Sequence, residues 1–123
     1  MTERPTILLI DDDPSHLKLY SWIVDRGGFR PLAALVIGRQ LELPTNEPVA
    51  LTILDYRLGH ELKSIDVAKQ LIQLFPSKPV LVLSDYQWLP DDIAPYATGF
   101  VRKGEPEQLL QQIRALTGEQ SQH

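Results

Sequence analysis

The chain has 123 residues, 43% hydrophobic and 23% charged, the size and balance of one globular domain and too apolar for a disordered segment. It contains no cysteine, which excludes disulfides, thiolate-held zinc, iron–sulfur clusters and thiol catalysis. Sixteen acidic against twelve basic residues leave a net charge of −4, a balance unsuited to wrapping nucleic acid directly.

The first six residues are polar, and the apolar run behind them is too short for a signal peptide. The longest uncharged apolar stretch, Leu32 to Ile37, is too short for a membrane span. The expectation is a cytoplasmic protein with no membrane contact. Ile7-Leu8-Leu9-Ile10, bounded by Pro5 and Asp11, has the continuous apolar character of a strand buried on both faces. Asp13 followed by Pro14 predicts a helix start, with Asp as N-cap and Pro as first helical residue. Leu17, Tyr20 and Val24 continue at helical spacing, and Gly27-Gly28 ends the helix. Leu32 to Ile37 reads as a second strand, Gly38 to Leu43 as a short helix, and Pro44 to Pro48 as a loop.

Val49 to Leu54 forms a third strand ending at Asp55, and Arg57 to Lys63 is a loop. Ile65, Ala68, Leu71, Ile72 and Phe75 draw an apolar stripe along a helix capped by Ser64 and stopped by Pro76. Pro79 to Leu83 is a fourth strand ending at Ser84. Gln87 to Ala97 reads as a helix made short or irregular by Pro90 and Pro95. Gly99 to Arg102 is a fifth strand ending at Lys103. Pro106 opens a last helix, with Leu109, Leu110, Ile113 and Leu116 on its apolar face and Gly118 at its end.

This alternation, strand then helix five times over, predicts an α/β fold: a doubly wound, five-stranded parallel sheet with helices on both faces. One domain spans residues 5–117, and residues 118–123 form a polar, disordered tail. On this reading the chain is a stand-alone domain, with no room for an output module. Ligands of such sheets bind at the carboxyl ends of the strands. Those ends deliver Asp11, Asp12 and Asp13 from the first strand, Asp55 from the third, Ser84 from the fourth and Lys103 from the fifth.

Clustered carboxylates repel one another and are most stable around a cation. Oxygen donors without cysteine or a paired histidine favour a hard divalent ion, for which Mg²⁺ is the usual occupant. A carboxylate can serve as a nucleophile toward phosphorus, and phosphoryl transfer needs positive charge around the equatorial oxygens. Asp13 reads as a cap rather than a ligand. His16, His60 and His123 share no ligand spacing and read as surface residues. Trp88 is open between core residue and partner anchor.

Ile7 to Pro14, Leu54-Asp55, Val82-Leu83-Ser84 and Phe100-Val101-Arg102-Lys103, in this order, resemble the receiver domain of bacterial two-component response regulators, a chemotaxis-regulator-like, flavodoxin-like fold. The resemblance covers about Pro5 to Leu116. It implies that Asp55 accepts a phosphoryl group from a histidine kinase or histidine phosphotransfer protein. It also implies that Asp11, Asp12, Asp55 and the backbone carbonyl of Arg57 hold Mg²⁺. Lys103 and Ser84 would contact the phosphoryl group, with Ser84 and Phe100 as the switch pair. Signalling would be a population shift read by a downstream protein, with a homodimer as a further partner.

Four features depart from the family pattern: the loop Tyr56 to Glu61, Asp85 after the switch hydroxyl, Gly104 where the family has proline, and the proline-broken segment around Trp88. They favour an alternative, a degenerate receiver acting as a phosphorylation-independent interaction module. A third reading, from the enzyme class, is a haloacid-dehalogenase-like phosphatase built on Asp11-Asp12-Asp13. Against it stand the short chain, Pro14, and the position of Asp91-Asp92 before Lys103.

Overall fold

The computed structural model describes residues 4–118. Five strands form one parallel sheet: β1 (Thr6–Asp11), β2 (Arg30–Leu35), β3 (Leu51–Asp55), β4 (Val80–Ser84) and β5 (Gly99–Arg102). Their order across the sheet is β2-β1-β3-β4-β5. The order reverses between β1 and β3, and in doubly wound sheets that reversal opens a crevice at the carboxyl edge. Three helices cover the two faces: α1 (Pro14–Arg26), α2 (Ser64–Leu74) and α3 (Pro106–Thr117). The fold class expected from the sequence is therefore the one observed. No helix among the described residues is long and apolar enough to cross a membrane. The predicted polar tail lies, apart from Gly118, outside the described residues.

Because strand side chains alternate between faces, each strand feeds two cores. Ile7, Leu9, Leu51, Ile53, Leu81, Leu83 and Val101 pack with Leu17, Tyr20, Ile23 and Val24 of α1 and Leu109 and Ile113 of α3. Leu8, Ile10, Leu54, Val80 and Val82 face the other way, onto Val67, Ala68 and Leu71 of α2. Burial on both faces is why β1, β3 and β4 read as continuous apolar runs. At about 1.5–3 kcal/mol per fully buried aliphatic side chain, these two layers are the main source of stability. Gly27 lets α1 and α3 approach closely, since a Cβ there would collide with the side chain of Leu110.

Two local expectations are corrected and one is sharpened. Gly38 to Leu43 forms no helix: Ile37 and Gln40 exchange backbone hydrogen bonds across a tight turn. Gly38 takes φ of +61° there, which no right-handed helix accommodates. Gln87 to Ala97 holds only one 3₁₀ turn, Ala94–Tyr96. Pro90 and Pro95 lack the N–H groups that an α-helix needs, and the segment is instead anchored by the fully buried Ile93. Lys63 rather than Ser64 is the N-cap of α2. Ser64 already belongs to the helix and is buried, so its hydroxyl makes no cap. In contrast, the Asp13 side chain caps α1 by accepting from the backbone N–H groups of Ser15 and His16.

Candidate functional site at the carboxyl edge of the sheet

Asp11 and Asp55 are the last residues of β1 and β3, the two strands that flank the reversal in strand order. Both are buried, at 3% and 2% exposure. Each is held by the chain just beyond it. One Asp11 oxygen accepts from the backbone N–H of Asp13 at 3.1 Å, and one Asp55 oxygen accepts from that of Arg57 at 3.1 Å. Parallel pairing brings Lys103, one residue past β5, into the same edge, where its backbone N–H donates to the Ser84 carbonyl at 2.8 Å. Its Nζ donates to the second Asp55 oxygen at 3.2 Å.

The electrostatics follow from this crowding. Burial and the neighbouring Asp55 carboxylate push the Asp11 carboxyl up to about 8. Burial alone would pull the Lys103 ammonium down, but the charges of Asp55 and Asp11 outweigh it and leave it above its usual value. One ammonium thus faces two buried carboxylates. The donor set suits a divalent cation, which would let both carboxylates ionise.

The remaining predicted residues are placed as follows. Asp12 is exposed and lines the pocket above Asp55, together with Arg57, Gly59 and Lys103. A Cβ on Gly59 would touch the Asp12 carboxylate. Ser84 is buried at the end of β4, and its Oγ accepts from the Tyr86 backbone N–H at 3.2 Å. Phe100 lies on β5, partly buried against the α2-side core, and does not line the pocket. Asp85 is exposed. The turn after Lys103 is made by Gly104 at φ +86°, a conformation that glycine adopts without strain.

Two features escape sequence reasoning. His16 and His60, read as unconnected surface residues, line the same pocket as Asp12 and Asp55. His16 in particular groups with Asp11 and Asp55, one ligand atom from each lying within 4.8 Å of the others. The available signal was its place as third residue of a helix that starts right after the acidic strand end. Helical side chains lean toward the N-terminus, so this one hangs back over Asp11. The second feature is an aromatic rim. The Tyr56 hydroxyl reaches both oxygens of Asp92 at 2.9 Å, and Tyr56 meets Tyr86 edge to face at 5.8 Å. Arg57 donates to the Tyr86 hydroxyl at 3.2 Å and lies over its ring.

Comparison with known proteins agrees with this architecture. No family model matches the chain. The transcriptional regulatory protein GlrR of Escherichia coli K12 is 30% identical over 95 residues, which cover 76% of this chain and 21% of GlrR. The chain spans 21% to 52% of the length of the curated relatives it matches. A CheY-like receiver domain protein from Methanospirillum hungatei superposes with a TM-score of 0.78 at 20% identity, covering 95% of this chain and 96% of that one. A response regulator from Burkholderia pseudomallei, solved with a phosphorylated aspartic acid, a calcium ion and citrate, gives 0.73 at 18% identity over 94% of this chain and 69% of that one. The fold is that of CheY-like response-regulator receiver domains.

Proposed function

From this receiver fold we propose that the chain works as a response-regulator receiver, accepting a phosphoryl group on Asp55 in a Mg²⁺-dependent reaction. The observation that carries the reading is the buried Asp55 carboxylate, paired with the Lys103 ammonium at 3.2 Å and crowded by Asp11. It is a nucleophile already set beside positive charge. An Asp55 oxygen attacks phosphorus of a phosphohistidine on a histidine kinase or histidine phosphotransfer protein. The new O–P bond forms as the P–N bond breaks, and the electron pair leaves with the imidazole. Lys103 stays against the equatorial oxygens as charge builds there. The Ser84 hydroxyl accepts from Tyr86 N–H, so its proton is free to donate to another phosphoryl oxygen.

Asp11, Asp12, Asp55 and the Arg57 backbone carbonyl would hold Mg²⁺, which when bound neutralises phosphoryl charge. On this reading the chain is a phosphoacceptor with at most self-phosphorylation and self-dephosphorylation, acts in the cytoplasm and signals by protein contact. A second reading, an interaction module independent of phosphorylation, is favoured by the β4–β5 connection. That connection carries one 3₁₀ turn in place of a helix and so offers little regular surface to rearrange.

Incubation with Mg²⁺ and acetyl phosphate, followed by intact-mass measurement, separates the two. The first reading expects a phosphoryl adduct that disappears in Asp55→Asn and on chelation. Folded protein that gains no adduct sinks it in favour of the second.

A further inference from the structure

The His16 imidazole stands between two carboxylates. Its Nδ1 lies 3.6 Å from Asp11 Oδ2 and its Nε2 lies 3.6 Å from Asp13 Oδ2, both beyond hydrogen-bond length. Although the ring is part-exposed, Nδ1 itself is closed off from solvent and has no hydrogen-bond partner. An N–H at that atom would find its nearest acceptor, Asp11 Oδ2, beyond hydrogen-bond length. A lone pair at that atom, turned toward Asp11 and Asp55, needs only an electrophile. Metal-bound histidines typically direct their other ring N–H toward a carboxylate, which fixes tautomer and orientation. Here Asp13 occupies that side. Its Oδ1 is committed to the Ser15 and His16 backbone N–H groups, which leaves Oδ2 toward the ring.

We propose that His16 is a nitrogen ligand of the acidic pocket, acting through Nδ1 beside Asp11 and Asp55, so that the pocket takes a borderline first-row ion of the Zn²⁺ and Co²⁺ type as well as Mg²⁺. The separation of the two β1–α1 ligand atoms fits. Two ligand atoms each about 2.1 Å from one ion lie about 3.4 Å apart at the tetrahedral angle, close to the observed 3.6 Å between His16 Nδ1 and Asp11 Oδ2. Imidazole nitrogen raises affinity for such ions, whereas Mg²⁺ is served by oxygen and retains its waters. Without the imidazole the pocket is an oxygen site with no added preference; with it, metal identity becomes a property of this chain. The proposal rests on reading the pocket as a cation site, but not on Asp55 being phosphorylated.

The test uses untagged protein, titrated with Zn²⁺, Co²⁺ and Mg²⁺ by calorimetry, with Co²⁺ also followed by visible absorption. In His16→Gln, affinity for Zn²⁺ and Co²⁺ should fall about tenfold or more, Mg²⁺ affinity should change by less than about threefold, and the Co²⁺ absorption should lose intensity. An equal fall for all three ions, or none, overturns the proposal. So does a Co²⁺ loss that follows His60→Gln instead. If no ion binds the wild-type protein, the cation-site reading fails with it. If Asp55 takes no phosphoryl group while Co²⁺ binding still depends on His16, the acceptor reading fails alone and this proposal stands.

Discussion

Asp11, Asp55 and Ser84 sit on the last residues of three adjacent strands, each 3% exposed or less. Beside them Tyr56, Arg57, Tyr86 and Asp92 sit on the connections, partly or fully open to water. Both groups make hydrogen bonds of similar length, yet they are different kinds of construction. The floor is fixed by sheet register: Asp55 pairs with Leu83 and Ser84 with Arg102 across the ladder, so no floor residue's backbone moves without shifting a strand. Its carboxylates interact in a poorly solvated site, where charge effects are strong. The rim is held by contacts that solvent and salt weaken. The floor should therefore respond to perturbation as one coupled unit, and the rim as a set of small independent terms.

The largest expected effect is on pH dependence. In metal-free protein Asp11 keeps its proton up to about pH 8, whereas its ordinary value, that of the unfolded chain, is 3.8. Between these values the folded chain holds a proton that the unfolded chain has released. Stability due to this group is thus fully present below about pH 4 and is lost as pH rises toward 8, with a slope approaching about 1.4 kcal/mol per pH unit. In Asp11→Asn, which mimics the protonated acid, that component vanishes. Urea unfolding in EDTA from pH 5 to 8.5 should show wild type losing stability relative to Asp11→Asn as pH rises. Saturating Mg²⁺ should reverse the loss. A difference that stays flat or grows the other way would show that the floor carboxylates are not crowded.

Next in size is Lys103→Ala. It leaves the Asp55 carboxylate buried without its cation and should cost about 3 kcal/mol at pH 7 in EDTA. In the Asp55→Asn background the same change should cost less than half as much, because the stranded charge is gone. Chemical denaturation of the four proteins of that cycle measures the coupling. Strict additivity would place the floor with the rim, as a set of separate contacts.

The same division explains what could be read from sequence. Strand ends were legible because burial on both faces writes a continuous apolar run, and the polar residue that stops the run falls at the carboxyl edge. Asp11, Asp55 and Ser84 were found that way, with Lys103 one residue past β5. Asp13-Pro14 was legible because cap and first helical residue have local chemistry. Gly38 to Leu43 was misread because six residues carry no resolvable periodicity, and the left-handed glycine decides their path. Ser64 was assigned as cap because its type allows it, but the helix begins one residue earlier than that, with Lys63 at the cap and Ser64 buried in the first turn. His16 and His60 were missed as pocket residues for another reason: they are 44 positions apart, and only the β1–β3 pairing brings their loops together. The Tyr56–Asp92 contact is equally non-local, and no spacing announces it.

The smallest effects belong to the rim. Tyr56→Phe removes the hydroxyl that donates to Asp92 but keeps the ring against Tyr86. Burial and the Asp92 carboxylate hold that phenol above its usual value, so it remains a donor throughout the neutral range and the loss should be independent of pH there. The expected cost is about 0.5–1 kcal/mol. Arg57→Ala deletes an exposed side chain whose bond to the Tyr86 hydroxyl is open to water, and it should leave stability essentially unchanged. The double variant should equal the sum of the two singles, because the Tyr56 hydroxyl and the Arg57 guanidinium share no partner atom. Thermal and urea unfolding of the two singles and the double decide the point. A coupling above about 1 kcal/mol would mean that the rim is a closed network able to transmit strain from the Asp55 loop to the β4–β5 connection.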